Sequence, residues 1–236
     1  MTRWLVPRAA DMLAVKRGID AVLGMTLLVA VLPLLAVLAI SIRVETGAPV
    51  LFRCQRLGRG GRPFTMYKFR TMAPGSERAL ETLRSRNVAQ GMVKIADDPR
   101  VTPLGRLLRR FSLDELPQLW NVVRGEMSLV GPRPHELGEV SLEDQVHLRR
   151  LRMRPGLTGL WQIRARTDPA LAIRVHYDLE YIARWSLLAD FAIAIKTIPV
   201  VLQGQGGAPR VHGQHLVPEV SRGDGPGRKA PGLERR

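Results

Sequence analysis

A single cysteine, Cys54, is present in the 236 residues. One thiol excludes an internal disulfide and any zinc site built from a cysteine cluster, and it fits a reducing compartment. Aromatic residues are scarce, at 5%, so the stacking platforms that hold single-stranded nucleic acid are poorly supplied. Acidic residues are short as well: 21 Asp+Glu stand against 36 Lys+Arg, a formal net charge of +15. An excess of that size calls for a polyanionic partner such as nucleic acid, anionic lipid headgroups or phosphate-bearing substrates. The shortage of aromatics moves the weight from nucleic acid toward membrane and phosphate. Gly58-Arg59-Gly60-Gly61 lacks the Lys-Ser/Thr that completes a phosphate-binding P-loop and reads as a turn. His135 and His147 are too far apart in sequence for a local metal pair, and the surface is expected to hold them. No internal repeat is visible.

Hydrophobic residues make up 45% of the chain, enough for one domain with a real core. Ala21 through Ile42 carries no charge. At ~1.5 Å per residue a straight helix of that length just crosses a ~30 Å hydrocarbon core. No small-residue cleavage site follows, which argues against a cleaved signal peptide. Pro33 interrupts the run, removing a backbone donor and favouring a kink. Both flanks are basic: Arg3, Arg8, Lys16 and Arg17 before, Arg43, Arg53, Arg56, Arg59 and Arg62 after. Positive flanks stay in the cytoplasm. Two courses are therefore open, a bent span and a helix that enters, turns at Pro33 and returns.

Beyond this element, Val50–Gln55 and Pro63–Phe69 read as strands of a hairpin, joined by the turn-rich Leu57-Gly58-Arg59-Gly60-Gly61-Arg62. A polar helical pattern covers Ser76–Gln90. Pro103–Phe111 is amphipathic, with Leu104, Leu107, Leu108 and Phe111 expected on one face. Either a surface helix on a core or a helix in the headgroup plane fits it. The apolar stretch Ile182–Leu202 is broken by Arg184, Asp190 and Lys196, which points to an interfacial or packed helix rather than a span. From Gly204 onward, glycine, proline and charge predict a disordered tail.

The segment Asp97–Pro134 is the densest in potential chemistry. It sets the adjacent carboxylates Asp114 and Glu115 between clusters of arginine. Carboxylates among guanidiniums are commonly salt bridges, and Ser112-x-x-Glu115 has the spacing of a capping box. Pro117 weakens the capping reading; a helix starting at or just before Asp114 would put Pro117 in the tolerant first turn and the acids at its positive end. That placement suits phosphoryl chemistry. A carboxylate can attack phosphorus, its neighbour can hold a divalent cation, and arginines can clamp non-bridging oxygens.

The sequence resembles the bacterial sugar transferases, the monotopic phosphoglycosyl transferases that start glycan assembly on undecaprenyl phosphate. The resemblance is carried by Lys16-Arg17-x-x-Asp20, YKFRTM at Tyr67–Met72 and SLDELPQLWNVVRGEMSLVGPRP at Ser112–Pro134. RPGLTGLWQI at Arg154–Ile163 and YDLEYIARWSLLAD at Tyr177–Asp190 complete it, in the family's order from about Lys16 to Leu202. The resemblance implies a re-entrant helix broken at Pro33, a nucleophile at Asp114, and Mg2+ held near Glu115. It implies diphosphate contacts from Lys68, Arg70 and Arg133, with Arg109 and Arg166 as further candidates. Two departures stand out. Leu32 occupies a place where the family commonly has serine, and Arg164-Ala165-Arg166-Thr167 replaces a small-polar, Gly, Arg, Asn run. The second leaves the identity of the sugar open.

The expectation is thus an α+β, mainly helical fold: a re-entrant membrane hairpin, a short β-hairpin and amphipathic interfacial helices around a catalytic domain. Residues 1–45 would anchor, 46–203 would form the catalytic domain, and 204–236 the tail. The implied reaction moves a sugar-1-phosphate from a nucleotide sugar, a UDP-sugar first of all, to undecaprenyl phosphate through an aspartyl intermediate. A nucleoside monophosphate is released, and exopolysaccharide or another surface glycan is begun. The expected partners are the two substrates, Mg2+ and membrane lipids, with no nucleic acid; the expected place is the cytoplasmic face of a bacterial inner membrane.

Overall fold

The computed structural model describes residues 5–76, 78, 95, 98–137, 144–166, 168 and 170–204, with side chains from residue 11 onward. The polar helix expected over Ser76–Gln90 and the tail expected from Gly204 lie almost wholly outside the described residues. The chain begins with α1 (Leu5–Thr46), the hairpin β1 (Leu51–Leu57) and β2 (Pro63–Phe69), α2 (Pro103–Arg110), α3 (Gln118–Arg124), β3 (Ser128–Val130), β4 (His135–Glu136) and α4 (Gln145–Arg150). Then follow β5 (Gly156–Thr158), α5 (Leu160–Arg164), α6 (Leu171–Ala183) and α7 (Leu187–Leu202). The fold is mixed and mainly helical, as expected.

The β-hairpin follows its sequence signals. Leu51 faces Phe69 and Leu57 faces Pro63 in antiparallel register. The turn needs Gly60 and Gly61 at φ 69° and 75°, a region that a Cβ disfavours. Along β2, Phe64 and Met66 point inward and pack on Val122 and Met127, the alternation a half-buried strand requires. On the other edge β1 pairs with β4. β3 and β5 form a separate parallel pair, whose backbones meet closely at glycines: a Cβ on Gly156 would lie 2.1 Å from the Gly131 nitrogen.

Thr102 caps α2 by accepting from the Gly105 N–H at 2.9 Å, with Pro103 at the first helical position. Leu108 is fully buried with Phe69, Leu38 and Ile42, and Leu104 packs against them; each such side chain contributes ~1.5–3 kcal/mol. Leu107, expected on that face, is half exposed, because the apolar stripe of this short helix is narrower than its sequence suggests. The stretch Ile182–Leu202 is divided by Arg184–Ser186, where the Ser186 hydroxyl caps α7 by accepting from Ala189 N–H.

α1 runs through Pro33 as one helix of 42 residues, not as two arms separated by a loop. Its charged first third is tied inward. Lys16 pairs with Asp190 at 2.6 Å, and Asp20 accepts from Ser128 Oγ at 2.7 Å and Leu129 N–H at 3.0 Å. Arg17 donates to the Val122 and Val123 carbonyls at the C-terminal end of α3, at 2.7 Å each. Further along, Leu38 and Ile42 enter the core, while Val22, Val29, Leu32, Val37 and Ile40 between and around them are exposed.

His135 departs from its expected surface place. It is 2% exposed, and β4 carries it inward beside the buried Arg150–Asp178 pair. Burial and the charges of Arg150, Arg133, His147 and Arg174 push its pKa down to about 2, so the ring is neutral.

Candidate active site

Asp114 and Glu115 sit on a single 3₁₀ turn, Leu113–Glu115, between α2 and α3. No capping box forms there: Ser112 makes no side-chain cap, and it holds left-handed backbone at φ 57°, ψ 23°. The next helix starts only at Gln118, with Pro117 at its N-cap. The acids therefore precede the helix rather than occupying its first turn. The strained residue at 112 has no sequence signature, so the spacing could not reveal it.

The turn borders a cleft of about 1670 Å³ lined by β2, α2, the segment after β3, α5 and α7. Asp114 is buried. Burial pushes its carboxyl upward, while Lys68, Arg109 and Arg166 pull it down. Glu115 is also raised, first by burial and then by the charge of Asp114, against Arg166, Arg133 and Lys68. The two carboxylates thus share a site in which the charge of Asp114 hinders ionisation of Glu115 and cations from separate elements favour ionisation of both.

Four of the five expected cations converge here. Lys68 reaches in from β2 with its Nζ 5.1 Å from the Phe52 ring centroid. Arg109, in the last turn of α2, donates from Nε to Thr71 Oγ1 at 2.9 Å, and burial lowers its pKa. Arg133 lies over the Trp161 ring at 5.3 Å while its backbone N–H donates to Asp178 at 3.2 Å. Arg166 donates to the Ser112 hydroxyl. Arg70 is different. Although it lines the cleft, its guanidinium donates to Thr46 O, Thr46 Oγ1 and Gly47 O at 2.6–2.9 Å, holding the C-terminal end of α1. Pro33 is within α1 and is not part of the cleft wall.

Sequence reasoning passed over Asp98 and Arg100, which also line the cleft. Arg100 grips Asp98 through two donors, Nε at 2.9 Å and a terminal nitrogen at 2.6 Å, and this bond holds the Asp98 carboxyl below its usual range. The i, i+2 acid–Arg spacing around Pro99 was the available signal. Arg174, buried and on the cleft wall, lies outside every motif.

Among the described residues no three His, Cys, Asp or Glu side chains gather as a metal cage. The adjacent acids fit a different kind of site. Mg2+ takes one or two carboxylates and fills its octahedron with water and phosphate oxygens, and two crowded carboxylates with raised pKa values gain from a dication beside them.

Comparison with known proteins places this geometry in context. A family model described as bacterial sugar transferase matches residues 11–204. The chain is 43% identical over 196 residues to the exopolysaccharide production protein ExoY of Sinorhizobium fredii, covering 81% of this chain and 87% of that one. It is 41% identical over 205 residues to a UDP-glucose:undecaprenyl-phosphate glucose-1-phosphate transferase of Caulobacter vibrioides, covering 84% and 73%. An undecaprenyl-phosphate galactose phosphotransferase of Salmonella typhimurium is 41% identical over 197 residues, 81% of this chain and 41% of that one.

Proposed function

The chain belongs to the bacterial sugar transferase family and is a phosphoglycosyl transferase, and from that premise we propose a two-step transfer centred on Asp114. The observation that carries the proposal is the Asp114-Glu115 pair, with Asp114 buried, set among Lys68, Arg109, Arg133 and Arg166 in one cleft. The donor is a UDP-sugar and the acceptor undecaprenyl phosphate, the chemistry named for the relatives.

In the first step an Asp114 carboxylate oxygen attacks the β-phosphorus of the nucleotide sugar. The bond from that phosphorus to the bridging oxygen breaks, and a nucleoside monophosphate leaves. In the second, a phosphate oxygen of the lipid attacks the same phosphorus and frees the Asp114 carboxylate, giving the polyprenyl-diphospho-sugar. Glu115, with Asp114 beside it, would hold Mg2+, which when bound neutralises charge on the transferring phosphoryl group. Arg109, Arg133, Arg166 and Lys68 orient the diphosphate and offset its charge in a site of low dielectric.

The lipid acceptor is held in a membrane while the nucleotide sugar is water-soluble, and the helices supply an anchor. α1 has the length and hydropathy to enter a bilayer, and only 11% of its most apolar window is buried against the protein. On α7, Leu188, Phe191, Ile195, Ile198 and Leu202 recur every three or four positions and are exposed, as a helix at the lipid interface requires. The re-entrant course of α1 is favoured by its contacts. Asp20 bonds β3, and Ile42 packs on Phe69 and Leu108 of the same domain. A helix crossing a ~30 Å core leaves its two ends on opposite sides, where one domain reaches only one of them. Re-entry keeps both ends, the cleft and the nucleotide sugar on the cytoplasmic face.

The direct test is purified protein with undecaprenyl phosphate and a panel of nucleotide sugars, monitoring monophosphate release and the lipid product. Continued turnover dependent on both substrates is expected for one or a few sugars, with the donor alone releasing at most about one equivalent of monophosphate. Absence of lipid product with every donor would overturn the assignment of acceptor.

A further inference from the structure

Ser112 is the non-glycine residue with positive φ among the described residues. L-residues avoid this region because Cβ crowds the following carbonyl oxygen, so surrounding contacts must hold the residue there. Each polar group of Ser112 is engaged. Its N–H donates to Arg109 O at 3.2 Å, its carbonyl accepts from Glu115 N–H at 3.2 Å, and its hydroxyl accepts from Arg166.

These contacts join three parts of the site. The N–H fastens the end of α2, which carries Arg109; the carbonyl closes the 3₁₀ turn that carries Asp114 and Glu115. The hydroxyl draws in Arg166 from the segment after α5, 54 positions along the chain. Had residue 112 kept helical backbone, α2 would have continued and carried Asp114 around its axis. The left-handed residue instead stops α2 and starts the turn. Arg166 is in turn the cation whose charge acts on both carboxylates from the α5 side.

We propose that Ser112 is a positioning residue for the transfer reaction: its left-handed backbone aims the acid pair into the cleft, and its hydroxyl holds Arg166 against that pair. This rests on the transferase reading above. Ser112 lines the cleft beside the acid pair, and in this role it acts through Arg166 and through the direction of the turn.

Substitutions separate the two parts. Ser112→Gly keeps the backbone and removes the hydroxyl, so its thermal midpoint should equal or exceed that of the parent. Its kcat should fall about 10- to 100-fold with KM for the nucleotide sugar within about 3-fold, the pattern of a misplaced group rather than a lost binding contact. Ser112→Asn tolerates left-handed backbone and offers an acceptor oxygen, and it should return kcat to within about 3-fold of the parent. In a double-mutant cycle, Ser112→Gly added to Arg166→Ala should slow the enzyme little further, because the hydroxyl works through a side chain already gone. A Ser112→Gly enzyme at the parent's rate, or fully additive losses in the cycle, would overturn the assignment while leaving the transferase intact. A parent protein inert toward every nucleotide sugar would instead sink the transferase reading, and this proposal with it.

Discussion

Lys16 and Asp190 are 174 positions apart in the chain, yet the ammonium donates to the carboxylate at 2.6 Å in a buried setting. Asp190 also accepts from Tyr181 OH at 2.7 Å and Trp185 Nε1 at 3.1 Å, and Asp20 stands 3.8 Å from the same ammonium. Tyr181 further contacts the Val130 carbonyl at 3.1 Å, three residues before Arg133. The long apolar helix α1 is thereby fastened to α6, α7 and the strand leading into the cleft.

Lys16→Met should expose how much this tether stabilises the fold. It leaves two buried carboxylates without their cation, a change that costs about 3–5 kcal/mol. Tyr181 and Trp185 still donate to Asp190, which sets the expectation at the lower end. Denaturant unfolding in detergent measures it, and the double variant Lys16→Met/Asp190→Leu should recover part of the loss. Equal midpoints for Lys16→Met and the parent would remove the pair from the account of stability.

His135 gives the fold an acid limit. Its folded pKa lies near 2, against 6.5 unperturbed, so folding favours the neutral ring. That stability is complete above about pH 6.5 and is lost as pH falls through the window toward 2, because the unfolded chain binds the proton first. At about pH 5.5 the loss should reach ~1.4 kcal/mol. Asp114, Glu115 and Asp178 are shifted upward and act in the opposite sense, so the informative quantity is the difference from His135→Gln. That difference should change with pH between about 7.5 and 5.5; parallel profiles for the two proteins would mean that His135 titrates normally.

The sequence made some of this legible for physical reasons. The β-hairpin was readable because alternation and glycine-rich turn signals agree locally (Phe64 and Met66 inward, Gly60 and Gly61 at the turn). The acid pair, Lys68 and Arg133 lie in motifs, and Arg109 and Arg166 were candidates from their places beside motifs. What motifs could not do was separate a cation at the site from one that holds the scaffold. Lys68 and Arg70 are two positions apart; one acts on the carboxylates and the other closes the end of α1. Lys16, Asp20, Tyr181 and Asp190 belong to motifs yet build the tether. Pairings across more than a hundred residues have no local periodicity. His135 was misplaced because a lone histidine defaults to the surface, and nothing local in β4 announces the Arg150–Asp178 pair beside it.

Glu115→Gln keeps the shape of the side chain and removes the charge suited to Mg2+. Turnover should fall at least ~100-fold, on the order of 3 kcal/mol of barrier. Chelation should stop the parent enzyme, and added Mg2+ should restore it. Full turnover in excess chelator would take the cation out of the mechanism.

Re-entry of α1 is open to a labelling test. In cells carrying Cys54→Ala and Thr2→Cys, a membrane-impermeant maleimide added outside should fail to reach residue 2 until the cells are opened. Efficient labelling of intact cells would establish a span. Pro33→Leu restores a backbone donor and removes the ring clash, so a fraction of that variant should become labelled from outside.

The covalent step separates this mechanism from direct transfer between the two substrates. If the monophosphate leaves before the lipid reacts, initial rates follow a ping-pong law. Nucleotide sugar alone should then add one sugar-phosphate mass to the protein, on a peptide containing Asp114. Asp114→Asn replaces the attacking oxyanion with a neutral amide. It should lose both adduct and turnover, by at least ~1000-fold in rate, or about 4 kcal/mol of barrier. Lys68, Arg109 and Arg166, which all act on Asp114 in the parent, remain in the variant. Nucleotide-sugar binding should therefore persist, and the distant Lys16–Asp190 tether should keep its membrane association unchanged. Near-parental turnover in Asp114→Asn would displace the nucleophile to another group. A ternary-complex rate law with no adduct would leave Asp114 acting as a base or as a ligand to the cation.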